Sequence, residues 1–184
     1  MSEDSQRRVE EATRIVLRPI ASPLPLAFLS FGVGSGLQSG LQLGLVPRDE
    51  IPNVALLLGA VVFPAMLLAG ILAFLSRETL GATLLGLLSF SWLGTALVSY
   101  TSFPDQTSAA LGVFSLVLAA VLLLMGTVGV LGKPLLSVVI ALASVRYGLN
   151  GVYELTASGG VGTAAGVVGC ELAHFDDVVQ HHRG

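Results

Sequence analysis

The sequence predicts an all-α integral membrane protein, a six-transmembrane-helix bundle with both termini on the cytoplasmic side. Composition is the first reason. Of 184 residues, 53% are hydrophobic and 11% charged, whereas a soluble domain carries about 25% charged residues. The second is six apolar runs, Pro25–Val46, Ile51–Leu75, Leu80–Tyr100, Ser108–Leu131, Pro134–Leu155 and Gly159–Val179, each near the ~20 residues that cross a hydrocarbon core as a helix. The third is charge. With six spans, Arg7, Arg8, Arg14, Arg18, Arg77, Lys133 and Arg183 fall on one side and Arg48 in a loop on the other. Cytoplasmic loops carry the Lys/Arg excess, and one span more or fewer would scatter these charges.

Residues 1–20 form a polar segment, read as a cytoplasmic helix or tail with Val9, Ile15 and Val16 on one side. Residues 21–184 then form one transmembrane domain. Its first span opens at Ser22-Pro23-Leu24-Pro25-Leu26. Proline suits a helix start, where its missing N–H would have no partner anyway. The first-turn N–H groups there carry partial positive charge and can hold an anion. Gly32, Gly36, Gly40 and Gly44 recur every fourth residue along this span, a spacing that lets helix backbones approach closely. In the second span Pro64 is expected to kink the helix and free a carbonyl. Short polar turns, Pro47 to Glu50, Ser76 to Glu78, Thr101 to Gln106 and Gly132-Lys133, separate the spans. The run Gly160 to Gly166 lacks the preceding strand that a nucleotide-binding glycine loop requires. Strict alternation in ~10-residue segments, the mark of a β-barrel, is absent.

Several functional classes drop out. A net charge of −3 without a basic patch argues against nucleic acid. The single Cys170 permits no internal disulfide and reads as a small apolar thiol. No nucleophile arrangement or catalytic acid pair stands out, so no enzyme and no cofactor is expected. Asp176, Asp177, His181 and His182 read as a solvated tail rather than a metal site.

Ionisable groups inside a span are costly and therefore candidates for function. Here they are Arg146, Glu154, Glu171 and His174. At 1.5 Å per residue, Arg146 lies roughly 18 Å into its span, and Glu171 lies at a height differing by only ~6 Å. An Arg146–Glu171 ion pair between the fifth and sixth spans is one expectation, and separate snorkelling of the two side chains is the other. Arg146 also stands as a candidate for receiving a substrate carboxylate. His174, three residues after Glu171, shares its helix face and could relay a proton or simply sit at the interface. Gln38 and Gln42, one turn apart, either bond a neighbouring helix or line a pore.

With its Pro-x-Pro start, the chain resembles the acetate uptake transporter (SatP-like) family of six-helix carboxylate transporters or channels. The residues are Ser22-Pro23-Leu24-Pro25-Leu26-Ala27-Phe28 followed by Ser30-Phe31-Gly32, then Ala69-Gly70, Thr79-Leu80-Gly81, Ser91-Trp92-Leu93 and Leu111-Gly112-Val113-Phe114. It extends from Ser22 to Gln180. Ser22 and Ala27 replace the signature Asn and Gly. Met66, Ala73 and Glu78 stand at a Gln, a Glu and an Asn, and Leu88 at a constriction Tyr, while the constriction Phe is kept as Phe31. The resemblance implies passage of acetate- or succinate-like anions through the plasma (inner) membrane, possible proton linkage, and a homo-oligomer, a hexamer in the family. The expected site is an anion held by Ser22 and the first-turn N–H groups of the helix that Pro23 and Pro25 begin, an apolar constriction of Phe31 and Leu88 placed by the resemblance, and, from the reading of costly charges, Arg146. The lost polar groups leave an alternative, a degenerate member that serves as a structural or partner-binding subunit without transport.

Overall fold

The computed structural model describes residues 22–103, 107–129 and 134–181, so the predicted 1–20 segment and the tail histidine His182 lie outside the described residues. The side chains of Asp176, Asp177 and His181 do so as well. Six helices follow one another: α1 (Leu24–Gln42), α2 (Arg48–Leu75), α3 (Thr79–Thr101), α4 (Ala109–Gly129), α5 (Pro134–Thr156) and α6 (Gly159–His181). No strand occurs among the described residues.

The helix ends follow local backbone chemistry. Pro23 precedes the first helical residue of α1 and Pro25 sits in its first turn, as the double proline requires. Helix α1 stops four residues before the apolar run does. Gly44 takes φ +73°, its N–H bonds the Leu41 carbonyl, and the Leu45 N–H bonds the Gly40 carbonyl at 2.9 Å. These two bonds define a glycine-terminated helix end, so Gly44 ends α1 rather than continuing a packing stripe. The same device closes α2 with a non-glycine residue: Arg77 has φ 60°, and the Glu78 N–H reaches the Ala73 carbonyl. Pro64 does more than kink α2. The five residues Leu58–Val62 just before it form a π-helical stretch, with the Phe63 N–H on the Leu58 carbonyl. One wider turn re-phases the backbone ahead of the ring that would otherwise clash. Ser89 on α3 then donates its hydroxyl to the Phe63 carbonyl at 3.1 Å.

Each helix packs on its chain neighbours, and α6 returns against α1, so the order α1–α2–α3–α4–α5–α6–α1 closes a ring. Helices α2, α3 and α4 are long and apolar enough to cross a membrane by length and composition alone. They turn Leu57, Leu68, Phe74, Phe90 and Leu124 outward, exposed by about half or more. A face of that kind belongs in lipid. Helices α1, α5 and α6 carry Gln38, Gln42, Arg146, Asn150, Glu154 and Glu171. The protein is a multi-pass membrane protein whose more polar helices sit side by side in the ring. Glycines set the closest approaches: a Cβ on Gly151 would lie 2.9 Å from the Gly112 carbonyl oxygen, and one on Gly162 2.8 Å from the Tyr153 ring. Within the run 160–166, Gly162 and Gly166 are thus helix packing surface, against Tyr153 and Leu43, and not part of a phosphate loop.

Candidate functional site

One face of α1 points into the ring. Phe31, Ser35, Gln38 and Gln42 are spaced four, three and four residues apart, which keeps them on one side of a 3.6-residue helix. On α5 the facing residues are Ala143, Arg146, Tyr147 and Asn150, spaced three, one and three residues apart and so also on one side of the helix. Asn150 ties the two helices together. Its Oδ1 accepts from Gln42 Nε2 at 2.8 Å and from Gln38 Nε2 at 3.2 Å, and its Nδ2 donates to Ser115 of α4 at 3.3 Å. Gln38 in turn accepts from Arg146 Nη2 at 3.3 Å. Four polar side chains of three helices therefore form one network around a guanidinium that is 1% exposed.

Above this network the ring opens into a cavity of about 100 Å³ at the Arg48 end. Gln38 and Gln42 lie at its inner wall, with Thr95, Ser102, Tyr153 and Glu154 farther out. Glu154 accepts the Ser108 backbone N–H at 2.8 Å, just before α4 begins. A carboxylate there satisfies an orphan donor and faces the positive end of the helix. Below the network, Trp92 of α3 lies with its ring 5.6 Å from the Arg146 Cζ, a cation–π distance. Phe31 meets Trp92 edge-on at 5.9 Å. Beneath Phe31 is a second pocket with Leu88, Met66 and Ile140 in a wholly apolar lining. The centre of the ring is thus open and partly polar toward Arg48, and apolar toward Arg77.

The six-helix ring has a solved counterpart. The structure of the bacterial acetate channel SatP matches with TM-score 0.75 over 87% of this chain and 90% of that one, at 21% identity. The two proteins share a fold. No family model and no curated protein matches the sequence. The six-helix membrane architecture expected from hydropathy and from the resemblance is the one observed.

Within this six-helix fold the expected site residues separate into three places. Ser22, Pro23 and Pro25 stand at the start of α1, where Pro23 is buried, Ser22 is exposed, and no side chain caps the helix. Phe31 and Leu88 come together in the apolar pocket, 3% and 6% exposed. Arg146 lies in the central network, about two turns of α1 beyond Phe31.

The Arg146–Glu171 pair does not form. Height along the bundle brought the two together, but azimuth separates them. Gly169 is the α6 residue against Arg146: a Cβ there would lie 2.6 Å from Arg146 Nε and would overlap Ser39 Oγ. Glu171, two residues on, points about 200° around the helix and is exposed, as is His174. Among the described residues no carboxylate pairs with Arg146, and no hydrogen bond links Glu171 to His174. Gln38 and Gln42 bond the neighbouring helix α5, as one expectation had it, and also line the cavity.

Sequence reading missed Asn150, Trp92 as a partner of Arg146, and Ser35 and Ser39. The signal for Asn150 was present, four residues after Arg146 and thus on its face. Trp92 carried none, because its tie to Arg146 is long-range.

Proposed function

We propose that this protein passes small carboxylate anions of the acetate or succinate kind across the plasma membrane, through the centre of the ring. The observation that carries the reading is the buried guanidinium of Arg146, set between an open polar cavity and an apolar constriction without an ionised partner among the described residues. Burying a cation costs several kcal/mol unless an anion or a full set of acceptors compensates it. A fixed, uncompensated cation in the middle of a channel fold attracts an anion from the cavity. The Phe31–Leu88 pocket beneath it then screens by size and by the cost of dehydration. Ser22, Pro23 and Pro25 frame the other mouth, with first-turn N–H groups as donors.

The orientation is N-in and C-in, with the Arg48 cavity facing outward, from the charge count. A homo-oligomer without enzymatic activity belongs to the same proposal. Proton linkage would fall to Glu171 and His174 on the outer face of α6.

A second reading is a subunit that has lost transport and serves as a structural or partner-binding element. Met66 and Ala73, where the resemblance places polar groups, are fully buried apolar side chains, which favours it. Uptake of radiolabelled acetate and succinate into proteoliposomes decides. Transport predicts saturable uptake by the wild type, faster uptake by Phe31→Ala, and loss in Arg146→Met. If neither the wild type nor Phe31→Ala takes up any small carboxylate, the second reading replaces the first.

A further inference from the structure

The outer surface of α2 and α3 carries a groove that lies apart from the centre of the ring. It holds about 310 Å³ and is lined by Leu67, Ile71 and Phe74 of α2 and by Ala82, Thr83 and Gly86 of α3. Two glycines shape its floor. A Cβ on Gly70 would lie 3.3 Å from the Gly86 backbone nitrogen, so the two helices meet backbone to backbone. A Cβ on Gly86 would meet nothing within 4 Å, so the space beside that contact is open. The walls are apolar and face outward, with Ile71 50% and Phe74 74% exposed. Thr83 adds no unsatisfied polar group, because its hydroxyl donates to the Thr79 carbonyl. From Phe74 to Leu67 the groove follows two turns of α2 inward. That is about 10 Å of the ~15 Å that the hydrocarbon of one leaflet occupies.

Arg77 stands at the mouth of this groove, in the turn between α2 and α3. It takes φ 60°, a conformation that costs any residue with a Cβ and suits glycine. A side chain kept at a strained position points toward a use for that side chain. The Arg77 side chain is exposed and has no hydrogen bond or ion pair among the described residues. Glu78 beside it turns its carboxylate onto the first turn of α3, 3.4 Å from where a Gly81 Cβ would sit. Thr79, exposed and part of the groove lining, places a hydroxyl next to Arg77 in the chain.

We infer that the groove holds one acyl chain of an anionic phospholipid whose phosphate sits on Arg77. Charge selects this occupant. A guanidinium matches a phosphate with two parallel N–H···O bonds, and the Thr79 hydroxyl is a further donor. By the charge count Arg77 lies on the cytoplasmic side, with Lys133 and the N-terminal arginines. The cytoplasmic leaflet carries the anionic lipids that attract basic residues near the surface. A zwitterionic lipid offers the same phosphate with a cation beside it and binds Arg77 less. The inference takes only the leaflet from the proposed orientation. Binding itself depends on neither the orientation nor transport.

Native mass spectrometry of the purified protein, stripped of lipid in detergent, reads this binding without uptake. Dioleoyl phosphatidylglycerol and dioleoyl phosphatidylcholine are offered in equal amounts. The wild type is expected to retain one phosphatidylglycerol per chain, about fivefold tighter than phosphatidylcholine. Arg77→Gln is expected to weaken phosphatidylglycerol by about fivefold, the attraction of one basic residue to an anionic surface. Gly86→Leu fills the floor and is expected to abolish retention of both lipids. Its lipid-free melting temperature should not fall, because the Cβ site is open and leucine is the better helix former. Should it fall, Thr83→Leu, at an exposed position, fills the same groove from its wall. Equal retention of the two lipids, or phosphatidylglycerol binding unchanged in Arg77→Gln, overturns the inference. Binding that survives groove filling also overturns it, since it marks adhesion to Arg77 alone. If Gly86→Leu instead separates copies of the chain while lipid retention stays the same, a second copy covers the groove and the inference fails.

Discussion

Gly169 illustrates how one missing side chain shapes the site. It faces Arg146 and Ser39 so closely that any Cβ would displace them. Gly169→Ala is therefore expected to destabilise the protein by about 1–3 kcal/mol through overpacking, seen as a lower melting temperature in detergent, and to disturb Trp92 emission. Asn150 is the other pivotal residue. It satisfies two glutamines at once, and Asn150→Ala leaves both amides short of an acceptor inside the bundle. The expected loss is about 1–2 kcal/mol, at the upper end for polar contacts between membrane helices. Much of this was legible beforehand. Arg146, Gln38, Gln42 and Phe31 stand out as polar or bulky residues at costly or repeating positions. The donors Ser35, Ser39 and Trp92 were not legible, because serine and tryptophan are ordinary in a membrane span and only their lack of partners marks them.

Among the elements, α2 and α5 hold the instructive deviations. The π stretch before Pro64 shows a helix absorbing a proline without breaking, at the level where Val62 packs near Gly34. A hydrophobic run cannot reveal it, since the residues of a π turn look like those of an α turn. Helix α5 ends in Ala157 at φ 52°, with its N–H on the Tyr153 carbonyl. A left-handed conformation costs a residue with a Cβ roughly 1–2 kcal/mol. Glycine is free of that cost but loses more entropy on folding. Ala157→Gly is expected to stabilise the protein by about 0.5–1 kcal/mol, measurable as a raised melting temperature with unchanged uptake. The turn was visible in the sequence as a polar break between spans five and six, but which residue adopts the left-handed conformation was not.

For the whole molecule, the ring order and the two-sided core carry the functional argument. One end is an open, partly polar cavity and the other an apolar pocket, so under the proposed function orientation decides from which side an anion would reach Arg146. With Cys170 replaced by Ser, Thr79→Cys and Asp49→Cys place single exposed thiols at opposite ends. Asp49→Cys is expected to react with an impermeant maleimide added to intact cells, and Thr79→Cys only after permeabilisation. The opposite pattern would invert the topology. Hydropathy and charge counts were sufficient for the helix number, their approximate limits and the class of fold, because each crossing of a membrane is decided largely by the composition of that one segment. The partner of Arg146 was beyond their reach. Height can be computed along a single helix, but azimuth depends on how α1, α5 and α6 rotate against one another. That rotation turned Gly169 rather than Glu171 toward the guanidinium. It left a buried cation facing donors and one glutamine oxygen, the arrangement on which the proposed chemistry depends.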